Sequence, residues 1–334
     1  MRIDNLIKLC EKIGNNVLFV QGAGGNISVK NKDTLMVKAS GQRLSEASKK
    51  NIFVSVNQSK LINQINKGDF NLMPEIVCDS NLRPSIETLM HSVIPSKYVV
   101  HLHAVEILSV LVRHNAKKQI HNLLNEKLNY KIIDYYKPGV ELAIAIKNCI
   151  DNSDKKIDWF FLINHGIVLC YDDIEELEIS LFEINQIFRN HLSIKKTSEK
   201  YLISNNKIKI NNFKVSEDNR INSIVFNETY INRLHKSWKI CPDHIVFLGL
   251  KPVVINKIEE IDFINLDNVP FIFFINKAVY QNIDINLNQI EQLICFYEVI
   301  SRQSPDEKLL ELSDYDCKVL LDWDMEKYRQ ALAE

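Results

Sequence analysis

The chain has 334 residues, with 41 Lys and Arg against 42 Asp and Glu, a formal charge of −1. Apolar residues make up 46% and charged residues 25%, the balance of a globular protein with room for about two domains of ~150 residues. The balanced charge argues against a nucleic-acid coat, no apolar run reaches the ~20 residues of a bilayer span, and seven scattered cysteines without a C-x-x-C read as reduced thiols in a cytoplasm.

Residues 3–13 carry Ile3, Leu6, Ile7, Leu9, Cys10 and Ile13 at helical spacing, and Gly14 stops the helix. The charged residues among them set this start apart from a signal peptide. A glycine-rich turn over 21–25 enters a strand, and 34–40 is its hairpin partner across Asn31-Lys32-Asp33. Residues 52–56 read as a strand and 58–68 as a helix. The stretch Pro84 to Ile94 reads as a helix with proline in its first turn. Lys97 to His103 is a strand that puts His101 and His103 on one face, because strand side chains alternate.

Helices are expected over 104–113, 117–127 and 139–149, and strands over 131–135, 159–163 and 167–171. A long amphipathic helix follows from Ile174 to about Ser193. The polar stretch 195–219 is expected to be a linker, including a solvated charge-rich run at 194–200. The resulting division is a catalytic domain over 1–195, a linker over 196–219 and a smaller α/β domain over 220–334. The last is expected to hold helices at 228–237, 286–301 and 305–312 and a strand at 269–275. Pro242 to Gly249 and the Trp323-containing tail are left unassigned.

Three histidines and a glutamate carry the chemistry. His101 and His103 at i and i+2, with His165 from a neighbouring strand end, can supply three corners of a tetrahedron around Zn²⁺ and leave the fourth open. Mn²⁺, Fe²⁺ and Co²⁺ also suit imidazole. Two half-buried strand histidines are the plain alternative. Glu87, just before the His101 strand, can face the same cavity as a proton-transfer carboxylate, or cap a helix start in solvent. His91, one turn after Glu87, can orient it or simply pack. Gly25, Asn26, Ser28, Ser40, Gly41 and Ser85 sit in turns that offer N–H and hydroxyl groups to an anion, with Lys38 as a nearby charge, although glycine turns are common without one. Tyr135 and Tyr136 are candidate proton donors or packing aromatics. His244 reads as a loop cap, and His114, His121, His191 and His235 as surface residues.

The ordered series Gly24-Gly25-Asn26-Ile27-Ser28, Ala39-Ser40-Gly41, Pro84-Ser85-Ile86-Glu87, His101-Leu102-His103 and Asn164-His165-Gly166 resembles the motifs of the class II aldolase/adducin family. Pro242-Asp243-His244 and the Leu321 to Tyr328 tail look more loosely like the aldolase portion of bifunctional rhamnulose-1-phosphate aldolase/alcohol dehydrogenases, without their dehydrogenase module. The resemblance implies an α/β/α sandwich on a mostly antiparallel sheet, plus the smaller α/β C-terminal domain, and a homo-oligomer, usually a tetramer. It implies a metal, most often Zn²⁺, on His101, His103 and His165, with Glu87 as the catalytic acid/base. Gly25, Asn26, Ser40, Gly41 and Ser85 match the phosphate pocket.

The implied reaction is carbohydrate chemistry: a lyase cleaving or forming a C–C bond of a ketose phosphate through a metal-stabilised enediolate, with dihydroxyacetone phosphate and a short aldehyde as products. Decarboxylation or dehydration of a sugar-acid or ketose phosphate is the alternative on the same scaffold. A metal-free interaction protein and a partner of a separate dehydrogenase are the further ones. Glu87 stands where related epimerases have Asp, and the metal histidines are those that adducin-like members lack. Ile86 departs from the family, which often has a second serine there.

Overall fold

The computed structural model describes residues 3–70, 72–124, 128–192 and 208–332. It divides into two compact units, one of residues 1–111 and 115–191 and one of 112–114 and 192–334. The expected 194–200 run and half of the expected linker, 196–207, lie outside the described residues. Of the remainder of that linker, 213–215 form a strand.

The first unit holds, in chain order, α1 (Asp4–Gly14), β1 (Asn26–Asn31), β2 (Thr34–Lys38), β3 (Phe53–Asn57), α2 (Gln58–Asn66), α3 (Thr88–Val93), β4 (Tyr98–Leu102), α4 (Val105–Leu111), α5 (Ala116–Leu124), β5 (Tyr130–Ile133), α6 (Val140–Asp151), β6 (Trp159–Leu162), β7 (Gly166–Tyr171) and α7 (Ile174–His191). The strands form one sheet in the order β3-β2-β1-β4-β7-β6-β5. Every neighbouring pair is antiparallel except β5 and β6. Strand residues point alternately to the two faces. Val37, Val54, Val99, Phe160 and Val168 therefore pack on Leu61 of α2, Met90 of α3 and Leu142 of α6. On the other face Phe161 of β6 stacks on Phe188 of α7, with ring centroids 5.6 Å apart. The result is the expected α/β/α sandwich on a mostly antiparallel sheet.

The second unit holds β8 (Phe213–Val215), α8 (Asn219–Ser223), α9 (Glu228–Lys236), α10 (Pro242–Leu248), β9 (Val253–Ile255), β10 (Phe271–Phe274), β11 (Ala278–Asn282), α11 (Leu287–Ser301), α12 (Asp314–Leu321) and α13 (Asp324–Ala331). Its small sheet runs β8-β11-β10-β9. Asn286 caps α11 by accepting from the Gln289 N–H at 3.0 Å. No helix among the described residues is long and apolar enough to cross a membrane.

Two expected helices are corrected. Residues 84–87 are not helical: Pro84 bridges Ala39, and α3 begins only at Thr88. Residues 305–312 do not form a helix, because their backbone bonds reach elsewhere in the second unit: Leu309 bridges Arg113, Leu310 donates to the Val112 carbonyl at 2.7 Å and Leu312 to that of Lys239 at 2.7 Å. Pro242 occupies the first turn of α10, so His244 is a fully buried helix residue against Phe296 and not a loop cap.

Candidate metal centre

Strand register assembles the site. In the β1–β4 pair Asn26 lies directly opposite His101, and in the β4–β7 pair Leu102 lies opposite Ile167. The β6–β7 turn then delivers His165 beside the end of β4. Its Asn164 takes φ 57°, a left-handed conformation that asparagine tolerates, and the His165 N–H closes the turn on the Leu162 carbonyl at 3.1 Å. The next position must be glycine: a Cβ on Gly166 would lie 2.3 Å from the Leu102 carbonyl oxygen and 3.1 Å from His103. Gly25 has φ +57°, and a Cβ there would stand 3.0 Å from the His101 carbonyl oxygen.

His101, His103 and His165 are all buried, and their ligating nitrogens lie within 4.8 Å of one another. The Nε2 atoms of His101 and His103 are 3.1 Å apart. The Nδ1 of His101 lies 3.1 Å from the Ile167 carbonyl. A carbonyl only accepts, so Nδ1 carries the proton and the Nε2 lone pair turns to the site, the arrangement that orients a ligating imidazole. The Glu87 carboxylate closes the group, Oε2 lying 3.6 Å from His101 Nε2 and Oε1 3.6 Å from His165 Nε2. Glu87 is 5% exposed, which removes the solvated-cap reading.

Three converging imidazoles fit a divalent cation, whose N-ligands sit ~2.0–2.1 Å from Zn²⁺. The buried Glu87 Oε1 has no hydrogen-bond partner among the described residues, as expected of a group facing a charged occupant. Burial alone would raise the Glu87 carboxyl. The imidazoles of His101 and His165, the Asn26 amide and His103 outweigh that and hold it below its usual range, so it is ionised.

The anion-binding candidates fall into two sets. Asn26 Nδ2 donates to Glu87 Oε2 at 2.7 Å and to Ser85 Oγ at 3.3 Å, and Ser85 Oγ also accepts the Glu87 N–H at 3.2 Å. Ser28 is bonded instead to His91 Nδ1 at 2.7 Å. Lys38 is buried, and its ammonium donates to the carbonyls of Ala23 at 2.8 Å and Gln42 at 2.7 Å. It thereby ties the 22–25 turn to the turn holding Ser40 and Gly41. The Ser40 N–H reaches the Arg83 carbonyl at 2.9 Å, which brings the Pro84-Ser85 segment to the same place. Tyr135 and Tyr136 follow the end of β5, the first half-buried and the second 42% exposed.

Sequence spacing could not show two supports. The Ile167 carbonyl sets the His101 ring, and the buried Gln21 amide lies 3.5 Å from the His103 carbonyl.

Residues 4–192 match the family model described as the Class II Aldolase and Adducin N-terminal domain. An L-fuculose phosphate aldolase of Methanococcus maripaludis is 26% identical over 188 residues, 56% of this chain and 93% of that one. The solved N-terminal class II aldolase domain of a conserved protein from Thermoplasma acidophilum is 27% identical, covers 57% of this chain and 93% of its own, and superposes with a TM-score of 0.50. A shorter match, 30% identical over 86 residues, joins 26% of this chain to 12% of an uncharacterized oxidoreductase, YuxG, of Bacillus subtilis. The family model ends at residue 192, so the second unit from 208 onward lies outside it.

Proposed function

Because the chain belongs to the class II aldolase and adducin family, we propose that it is a divalent-metal lyase that cleaves, or in reverse forms, a C–C bond of a ketose phosphate. Dihydroxyacetone phosphate and a short aldehyde are the products. The observation that carries this reading is the buried Glu87 carboxylate, 3.6 Å from both His101 Nε2 and His165 Nε2. A proton-transfer group and a Lewis-acid site share one pocket there.

His101, His103 and His165 would hold the cation. When bound it supplies Lewis acidity, drawing electrons from a carbonyl and a neighbouring hydroxyl and stabilising the charge that develops as the bond breaks. Glu87 moves the proton at the substrate carbon next to that carbonyl, work worth roughly 10²–10⁴-fold in rate. Asn26 holds the carboxylate by its 2.7 Å bond. The turns around Gly25, Ser40 and Gly41, tied together by Lys38, and the Ser85 segment form the cradle for the substrate anion.

The half-buried Ile86 offers no hydrogen bond where the family often has serine. Decarboxylation of a 3-oxo acid phosphate, its carboxylate lost as CO₂, is the second reading on the same scaffold. Family membership also supports a homo-oligomer, with a tetramer as the expectation, and a cytoplasmic location.

The test is elemental analysis of the purified chain beside a His103→Ala variant, followed by an assay of ketose 1-phosphates for dihydroxyacetone phosphate and of 3-oxo acid phosphates for CO₂. About one Zn²⁺, Mn²⁺, Fe²⁺ or Co²⁺ per chain, lost in the variant, supports the metal reading. A folded chain that binds none of these ions sinks it.

A further inference from the structure

Glu87 stands at the end of a line of four buried side chains that begins at Ser28. Ser28 Oγ lies 2.7 Å from His91 Nδ1, His91 Nε2 meets Asn26 Oδ1, and Asn26 Nδ2 donates to Glu87 Oε2 at 2.7 Å. Ser28 and His91 are fully buried, and Asn26 and Glu87 are 4% and 5% exposed, so bulk water cannot replace a missing partner.

We propose that His91 is a positioning residue for Glu87 that acts through Asn26. Its ring, protonated on Nε2, fixes which way the Asn26 carboxamide faces, so that the NH₂ and not the oxygen is turned to the carboxylate. This rests on the reading of Glu87 as the proton-transfer group and names what sets its geometry.

An asparagine amide is nearly symmetric in shape, and packing alone selects poorly between its two orientations. In the reversed orientation Oδ1 would face Glu87, acceptor against acceptor. On the other side, Asn26 Oδ1 only accepts, so His91 Nε2 must be the donor. A neutral ring then has its lone pair on Nδ1, and the Ser28 hydroxyl donates to it. Burial first, and the ammonium groups of Lys30 and Lys38 beside it, hold the His91 ring neutral. Both ring nitrogens are thus engaged away from Glu87, although His91 lies in the first turn of α3, just after Glu87, and its own N–H bonds the Glu87 carbonyl at 3.1 Å. Helical spacing suggests a direct contact, whereas the side chain works one residue removed.

Two measurements decide it. Neutron diffraction from deuterium-exchanged wild-type crystals locates the protons without any activity assay. The expected map has a deuteron on His91 Nε2, none on Nδ1, and two on the Asn26 atom beside Glu87. A deuteron on Nδ1 instead, or a reversed amide, overturns the proposal.

The second measurement is a double-mutant cycle with His91→Leu, which keeps the bulk and removes the donor, and Asn26→Ala. His91→Leu is expected to lower kcat ~10–100-fold, the scale of a small misplacement of a reacting group, with KM within about twofold. His91→Gln, which places a donor near Nε2, recovers most of the loss. In the Asn26→Ala background His91→Leu adds less than about twofold, because the two act as one unit. Full additivity, or a change confined to KM, overturns the proposal. A wild-type chain that cleaves no ketose phosphate overturns the proposed reaction instead, and diffraction still decides the role of His91.

Discussion

The Nδ1 of His101 donates to the carbonyl oxygen of Ile167 at 3.1 Å, across the β4–β7 pair. This one bond fixes the tautomer before any cation arrives and turns Nε2 toward His103 and Glu87. A preset imidazole needs no reorganisation on binding.

The first expectation concerns the ligand from the other strand end. His165→Ala removes one of three nitrogens and leaves the sheet intact. Metal content, read by plasma emission after dialysis, should fall from about one ion per chain to near zero, while far-ultraviolet circular dichroism is unchanged. Retained stoichiometric metal would show that His165 is not a ligand.

Glu87→Gln separates chemistry from metal binding. The amide keeps the shape of the side chain and loses the ionised oxygen. Cleavage should slow by roughly 10²–10⁴-fold while the metal content stays at the wild-type level. A variant with near-normal kcat would remove Glu87 from the reaction.

Gly166→Ala tests the turn that delivers His165. The added Cβ would lie 2.3 Å from the Leu102 carbonyl oxygen, so backbone must shift. Overpacking of this kind costs roughly 1–3 kcal/mol, read as a lower urea midpoint at unchanged slope. An unchanged midpoint would mean that the β4–β7 approach is loose.

Lys30 gives a pH dependence. Burial pushes its ammonium down to about 7, with Cys170 and Asp172 pulling the other way. The nitrogen donates to the Ser96 carbonyl at 2.9 Å. An unfolded lysine stays charged to about pH 10.4. Between these values the unfolded chain binds more protons, so stability rises with pH. Lys30→Met should therefore be more stable than wild type near neutral pH, and the gap should narrow by roughly 2 kcal/mol between about pH 7 and pH 9. Urea melts of the two proteins at each pH measure it, and a gap that widens with pH would contradict it.

How much of this was legible in the sequence follows from the range of the interactions. His101 and His103 could be read as a pair because strand alternation is local. The position of Glu87 was legible as a motif, but its local structure was not. The stretch from Pro84 looks helical in isolation, yet Pro84 bridges Ala39 and residues 85–88 close a turn, the Thr88 N–H reaching the Ser85 carbonyl at 3.0 Å, so that α3 begins only at Thr88. The same physics defeats the helix expected at 305–312, whose N–H groups find carbonyls at Val112 and Lys239. Lys38 read as a charge for an anion, but two backbone carbonyls take its protons. The three-residue strands β8 and β9 are too short to carry a period.

The central claim is a metal-dependent cleavage at the His101, His103, His165 and Glu87 pocket. Its most direct test is the rate of dihydroxyacetone phosphate release from a panel of ketose 1-phosphates, measured on the purified chain, after chelation, and after adding back Zn²⁺, Mn²⁺ or Co²⁺. The account predicts release that chelation abolishes and one of these ions restores. Release that survives complete metal removal, or none from a metal-replete folded chain, would contradict it.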